Sequence, residues 1–470
     1  MVFSSGAFLF LFLPVFLASY LLAQRWANLA ILLFSLLFYF IGEGWFVLVL
    51  ATSIALNYAI GLGIGPQNKR RKTWLVLGLC ANLGLLFYFK YSLFFAIQVF
   101  GLSETAVPKN IHLPIGISFF TFQGISYLVD VYRDEVQAER SIRRVATYIA
   151  MFPQLIAGPI VRYGSISSRL LKRTITARHV YFGALFFAVG LAEKVLIADT
   201  VAEICDAIYA LPPNELHVSA AWLGGVAYTL QIFFDFSGYS AMAIGLGLIL
   251  GFEFPQNFNF PYTAKSITEF WRRWHISLST WFREYVYIPL GGNRVGAAKT
   301  LRNLIIVFLL TGIWHGAAWG FVIWGIWHGA FILFERIGFS AVLQRLWVGV
   351  RLAYTLLVVY IGWVFFRAES LEYAFDFLVR HVVSSPDGIT AWAYLNHEKM
   401  GLLVAGIALS TPAAMILARQ VIAAPDYGAW RQSFPFWKYV TGLGVAGLLF
   451  VLAAIKILSG AYSPFIYFRF

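Results

Sequence analysis

Apolar residues fall in long blocks from end to end of this chain, and short polar connections part them. A run of about 18 or more apolar residues is the length that crosses the roughly 30 Å hydrocarbon core of a bilayer. The pattern predicts spans at 7–22, 27–41, 45–64, 73–99, 113–132, 180–198, 219–251, 301–334, 350–366, 401–421 and 438–458. Gly65-Pro66-Gln67-Asn68 and Pro212-Pro213-Asn214 mark loops between them. The segment 7–22 has no basic residue ahead of it and further spans follow, so it reads as a first transmembrane helix and not as a cleaved signal. No linker sets off a soluble part. Residues 1–470 are expected to form one membrane domain, with the chemistry concentrated in 253–334.

Three places break the simple pattern. Residues 145–160 are apolar but carry Pro153, Gly158 and Pro159 between basic flanks, which fits a segment that enters and leaves on one side. Such irregular backbone is tolerated at depth only where protein or a water-filled cavity surrounds it. Within 219–251, Asp235-Phe236-Ser237-Gly238 reads as a polar, glycine-marked break. The stretch 301–334 has basic residues at both ends, Arg302 and Arg336, and predicts a hairpin or a pair of short helices. A straight helix rises 1.5 Å per residue, which puts His315 about 20 Å from Arg302, deep in the membrane. Together the three breaks predict a hollowed interior. Residues 253–300 form the longest polar connection, in which Ile267, Phe270, Trp271, Trp274 and Leu278 recur at helical steps. That face suits a helix lying in the membrane interface.

Composition sharpens this picture. Hydrophobic residues make up 60% of the chain and charged residues 12%, with a mean hydropathy of +0.74. A soluble protein is excluded. The net charge of +13 would suggest nucleic acid in a soluble chain, but here the bilayer accounts for it and no nucleic-acid partner is expected. Lys and Arg crowd Lys69-Arg70-Arg71-Lys72, 133–178 and 265–302, whereas 199–217 and 369–398 lean acidic. By the positive-inside rule the basic connections face the cytoplasm and the N-terminus lies outside. Cys80 and Cys205, far apart, indicate neither a disulfide framework nor a cysteine metal site.

Two polar segments look chemical: Phe270-Trp271-Arg272-Arg273-Trp274-His275 and Gly312-Ile313-Trp314-His315-Gly316. An ionisable side chain at membrane depth is expensive and by default marks function. Imidazole titrates near neutrality, so His315 can take a proton from a hydroxyl that attacks a thioester. Gly312 and Gly316 would clear room beside its ring for a substrate chain. The competing reading is a histidine that hydrogen-bonds a neighbouring helix. His275 would sit in the interfacial helix, where a solvated or cation-stacked histidine is common. His328 repeats the surroundings of His315 and differs only in lying nearer the end of its predicted span. Arg272, Arg273, Arg283 and Arg294 can bind the phosphates of an acyl donor; the competing reading, favoured for any one of them taken singly, is anionic-lipid contact and positive-inside topology. Asn257, Asn259 and Tyr262 offer neutral polar groups nearby, with ordinary loop hydrogen bonding as the alternative. No Gly-x-Ser-x-Gly elbow, phosphate-binding loop or His-Glu-x-x-His is present, which removes support for serine catalysis, ATP hydrolysis and zinc proteolysis.

At these residues the chain resembles the membrane-bound O-acyltransferase family, and within it the alginate O-acetyltransferase branch. The matching segments are Met1-Val2-Phe3-Ser4-Ser5, Pro153-Gln154-Leu155-Ile156-Ala157-Gly158-Pro159-Ile160 and Phe234-Asp235-Phe236-Ser237-Gly238-Tyr239-Ser240. They continue with Glu253 to Tyr262, Ile267 to Arg294, Gly312 to Gly329 and Pro464-Phe465-Ile466-Tyr467-Phe468. The resemblance implies an all-α, polytopic fold of about eleven transmembrane helices, with re-entrant or broken helices around a central tunnel. It places His315 at the family's near-essential histidine and His275 at a supporting one. Trp274, Trp314, Arg272, Arg273, Asn257 and Asn259 would line the donor site or tunnel. Where this branch commonly carries Asp after Tyr239-Ser240, the chain has Ala241.

The implied function is an acetyltransferase of the bacterial inner membrane that modifies an exported, alginate-like polysaccharide. The resemblance implies no bound cofactor or metal, with acetyl-CoA as the expected donor, reaching the site from the cytoplasm. A periplasmic or membrane-anchored hydrolase-like acetyltransferase would complete delivery, and membrane lipids surround the body. Peptidoglycan acetylation and D-alanyl transfer to teichoic acid remain open within the same fold. A proton-coupled transporter remains open outside it, because broken helices with an intramembrane His, Asp235 and Glu193 also suit such carriers.

Overall fold

A computed structural model describes residues 1–108, 111–424, 427–460 and 462. The C-terminal motif at 464–468 lies outside the described residues. Among the described residues the secondary structure is helical, with one isolated bridge between Leu216 and Ile389 and no strand. The all-helical expectation holds. Among the described residues eight helices are long and apolar enough to cross a membrane, or nine if the bent pair His397–Leu409 and Pro412–Val421 is one span. Two predicted spans, 27–41 and 45–64, fall within the stretch Gln24–Gly63, as the helices Ala27–Glu43 and Val47–Gly63 with Gly44 (φ +58°) between them. Phe8–Leu22 and Ile117–Tyr132 are helical but shorter than 18 residues.

The chain divides into two compact units. The first comprises Met1–Ala184 and Met242–Pro255. Its core is aromatic: the Phe152 ring lies 5.1 Å from Phe16, 5.4 Å from Phe38 and 5.5 Å from Phe12, centroid to centroid. Phe152 belongs to the segment expected to be irregular, and it is. The helix Ile142–Ala150 ends at Met151, Phe152–Leu155 makes a single turn, and every residue from 145 to 161 is buried. The polar backbone left without helical partners is answered internally. Gln154 donates to the Tyr148 carbonyl (2.5 Å), Tyr148 to the Val161 carbonyl (3.0 Å), and the Phe152 amide to Ser35 Oγ (3.1 Å). Elsewhere in this unit Asn57 and Asn82 exchange amide hydrogen bonds of 3.1 and 3.0 Å between two apolar helices.

The second unit comprises Leu185–Ala241 and Gln256–Phe470. The expected break at Asp235-Phe236-Ser237-Gly238 does not occur: Val218–Ile249 is one continuous helix. Its polar residues are satisfied sideways and not by unwinding. Asp235 pairs with buried Lys194 (2.9 Å), which also pairs with Asp199, and Ser237 donates to Glu193 (2.5 Å). Gly238 permits the approach, since a Cβ there would stand 2.6 Å from the Gly190 carbonyl oxygen. The predicted hairpin at 301–334 is present as Ala297–His315 and Trp319–Phe334. The two helices cross at glycines, and a Cβ on Gly325 would lie 2.5 Å from the Phe308 carbonyl and 3.1 Å from Gly312 Cα.

Candidate active site

The candidate residues gather within the second unit. The interfacial helix expected from Ser266 onward is two short helices, Ile267–Arg273 and Ile276–Phe282, that meet at His275. His275 itself is left-handed (φ +44°, ψ +54°), one of only three non-glycine residues with positive φ among those described. Such a conformation is uncommon outside glycine and persists only where surrounding contacts hold it. Here Asn257 holds it. The Asn257 carbonyl accepts the Ile276 amide (2.9 Å), and its Oδ1 accepts the Ser277 amide (3.2 Å) and Ser277 Oγ (2.9 Å). Its Nδ2 donates to Ser240 Oγ (3.0 Å).

These contacts assign the imidazole tautomer. Because Oδ1 takes a backbone N–H, it is an acceptor, so the 3.1 Å contact to His275 Nδ1 requires a proton on Nδ1. His275 Nε2 is therefore an unprotonated lone pair, and it has no hydrogen-bond partner among the described residues. The expectation of a solvated histidine fails: His275 is fully buried, its ring 4.6 Å from Phe236. Burial pushes the imidazole down to about 3, so it is neutral at physiological pH.

His315 is the last residue of its helix and is buried at 7% exposure. Its ring packs edge-on against Trp324 (5.0 Å) and Phe366 (5.2 Å). The Trp314 ring contacts both histidines, 4.9 Å from His315 and 6.1 Å from His275, centroid to centroid. The space beside Gly312 and Gly316 is not open to a substrate chain, because the Phe321 backbone and ring occupy it. The positions of His315 and His328 are also the reverse of expectation. His328 is the one inside a helix, caged by Phe270, Trp271, Trp324 and Trp363. Trp271 Nε1 donates to its Nδ1 (3.4 Å), and Gly362 clears the ring, with a Cβ position 2.7 Å from Nε2.

The remaining candidates divide. Trp274 is buried, stacked on Phe270 (5.6 Å) and 4.9 Å from Trp363. Asn259 is exposed and holds Arg273 through its backbone. Arg273 is ion-paired to Glu269 (2.8 Å). Arg272 and Arg283 line a cavity of about 550 Å³, and Arg294 does not. Arg336 and Arg351 complete the cationic lining, while Trp271 and Thr311 form part of its wall, Thr311 one helical turn before His315.

Glu335 was invisible in the sequence pattern. Buried to 2% exposure, its carboxylate accepts the Ile267 amide (2.6 Å), the Thr268 amide (2.9 Å) and Thr268 Oγ1 (2.6 Å). It thereby fixes the start of the helix that carries Trp271 and leads into His275.

A family model for MBOAT, the membrane-bound O-acyltransferase family, matches residues 71–367. The chain is 41% identical to a protein named probable alginate O-acetylase AlgI from Pseudomonas putida, over the whole of both chains. It is 34% identical to a peptidoglycan O-acetyltransferase from Helicobacter pylori, over all of this chain and 98% of that one. It is 29% identical to a teichoic acid D-alanyltransferase from Bacillus subtilis, over 46% of this chain and 57% of that one.

Proposed function

Because the chain belongs to the membrane-bound O-acyltransferase family, we propose that it passes an acetyl group from a cytoplasmic thioester across the inner membrane. The group would go to O-acetylation of an exported, alginate-like polysaccharide. The observation that carries the mechanism is the cluster of His275, Trp314 and His315 rings, on elements that also wall an arginine-lined cavity through Leu278 and Ser279 after His275 and Thr311 one turn before His315. Acetyl-CoA is the donor, its phosphates answered by Arg272 and its neighbours. His315 takes the proton of the acceptor hydroxyl as that oxygen attacks the thioester carbonyl. The carbon–sulfur bond breaks and the proton passes to the leaving thiolate. His275, kept neutral by burial with its Nδ1 proton on Asn257, orients the donor or acceptor through Nε2. A hydrolase-like acetyltransferase on the far side completes delivery to the sugar, and the N-terminus faces that same side.

Peptidoglycan is the second acceptor to consider, supported by the full-length similarity to the Helicobacter pylori enzyme. The D-alanyltransferase similarity spans less than half of this chain and carries less weight. The test is transfer of labelled acetyl from acetyl-CoA by the purified protein, with partner and acceptor added. His315→Ala should lower the rate by about 10²- to 10⁴-fold, the usual contribution of a positioned base, with unchanged abundance in the membrane. An undiminished rate overturns the assignment, and transfer to peptidoglycan but not to alginate moves it to the second acceptor.

A further inference from the structure

The first unit holds a cavity of about 640 Å³ that the acyl-transfer reading does not use. Its walls are the turn after the helix Leu13–Leu22, the start of the helix Ile142–Ala150 and the extended segment leaving the helix Tyr163–Leu171. Five cations line it, Arg25, Arg143, Arg144, Lys172 and Arg173, and no acidic side chain does. Arg144 is neutralised by Glu139, which it meets at 2.6 Å. The other four have no carboxylate partner among the described residues. Arg173 is instead fixed by neutral groups: it donates to Tyr20 Oη (3.1 Å) and Asn28 Oδ1 (2.6 Å), and lies 4.7 Å over the Phe252 ring.

Four like charges drawn together around one cavity repel one another, so the arrangement favours an anion between them. Pairing of the half-buried Arg173 to uncharged partners keeps its charge available. The rim identifies the anion's other half. Leu22 (89% exposed), Leu171 (68%) and Trp26 (53%) project beside the cations, Leu22 at the end of the apolar helix Phe8–Leu22 and Trp26 at the start of the apolar stretch Gln24–Gly63. Exposed leucine and tryptophan next to clustered basic residues is the signature of the headgroup layer, where acyl chains and phosphates meet. We propose that this cavity binds the phosphate headgroup of an anionic phospholipid from the leaflet that the basic connections face. It is a binding site separate from the chemistry and independent of the acceptor.

The same cations would also answer a free phosphate or the phosphates of coenzyme A, and the experiment distinguishes them. The full chain is purified, and lipid retention is read by native mass spectrometry beside thermal stability with phosphatidylglycerol or phosphatidylcholine added. The wild-type protein should retain phosphatidylglycerol at least tenfold in preference to phosphatidylcholine and melt several degrees higher with it. The triple variant Arg25→Gln, Arg143→Gln, Lys172→Gln should lose that preference while melting like wild type in phosphatidylcholine. These three side chains are exposed, so the fold should survive their loss. A control removing Lys69 and Arg70, from another basic loop, should leave the preference intact; an equal loss there would reduce the effect to general surface charge and overturn the site. Equal retention by the triple variant overturns it as well. Displacement of the lipid by millimolar coenzyme A or inorganic phosphate would reassign the cavity to a soluble phosphate and overturn the lipid.

Discussion

Asn257 does for His275 what a carboxylate does in many enzymes, but without charge. It accepts the Nδ1 proton and is itself fixed by Ser277 and Ser240. A neutral partner matters because a carboxylate would stabilise the imidazolium and raise the pKa that burial has pushed down to about 3. Asn257→Asp should therefore move the acid limb of the pH–activity profile to higher pH, because more of the imidazole is protonated at any given pH. Asn257→Ala should remove the tautomer constraint and lower the rate about 10- to 100-fold, the scale expected when a supporting contact to a functional histidine is lost. An unchanged pH profile in Asn257→Asp, with full activity in Asn257→Ala, would leave Asn257 a loop residue. The identities of these side chains were legible in the sequence, where Asn257 and His275 both stood out. Their relationship was not, because it spans eighteen positions and depends on a left-handed turn at a histidine. A period-based reading carries Ile267 to Leu278 through that turn as one helix.

At the level of elements, the site rests on two devices. The hairpin Ala297–His315 and Trp319–Phe334 closes over paired glycines, which sets where His315 ends its helix. The short helix Ile267–Arg273 is too brief to stand alone, and Glu335 answers its first two amides from 68 and 67 residues away. Helices this short owe their stability to tertiary contacts and not to propensity. Glu335→Ala would leave buried donors without an acceptor, at about 2–3 kcal/mol for hydrogen bonds to a charged group. The expected readout is a lower melting temperature together with reduced acetyl transfer. Glu335→Gln keeps one carbonyl oxygen and should be milder. Equal stability of Glu335→Ala and wild type would contradict the capping role. The hairpin was legible because Arg302 and Arg336 bracket its apolar run. The role of Glu335 was hidden beside Arg336, where a charge at a helix end reads as topology. The continuity of Val218–Ile249 was hidden for the opposite reason: Asp235 and Gly238 look like a break until Lys194 and Gly190 supply their partners.

For the whole molecule, the sign and placement of charge were readable from the chain, and the cavities that collect it were not. The basic connection 265–302 announced an anion-facing surface, but the cavity in the second unit also draws Arg336 and Arg351 from helix ends outside that connection. Of the four arginines picked out in the sequence, Arg272 and Arg283 reach it, while Arg273 is occupied by Glu269 and Arg294 lies elsewhere. If this cavity receives the phosphates of the thioester donor, its arginines act on the bound donor as a whole and not on the reacting carbonyl. Binding that is equal in ground and transition states appears in KM and not in kcat. Arg272→Gln combined with Arg351→Gln should therefore raise the KM for acetyl-CoA about tenfold or more, the size expected from losing charge-assisted contacts to phosphate. The turnover at saturating donor should stay within about twofold, as the chemistry at His315 is untouched. Salt gives the second readout: screening weakens exposed charge contacts, so added salt should raise the wild-type KM steeply and that of the double variant little. A donor KM unmoved by both substitutions and by salt would place donor binding outside this cavity.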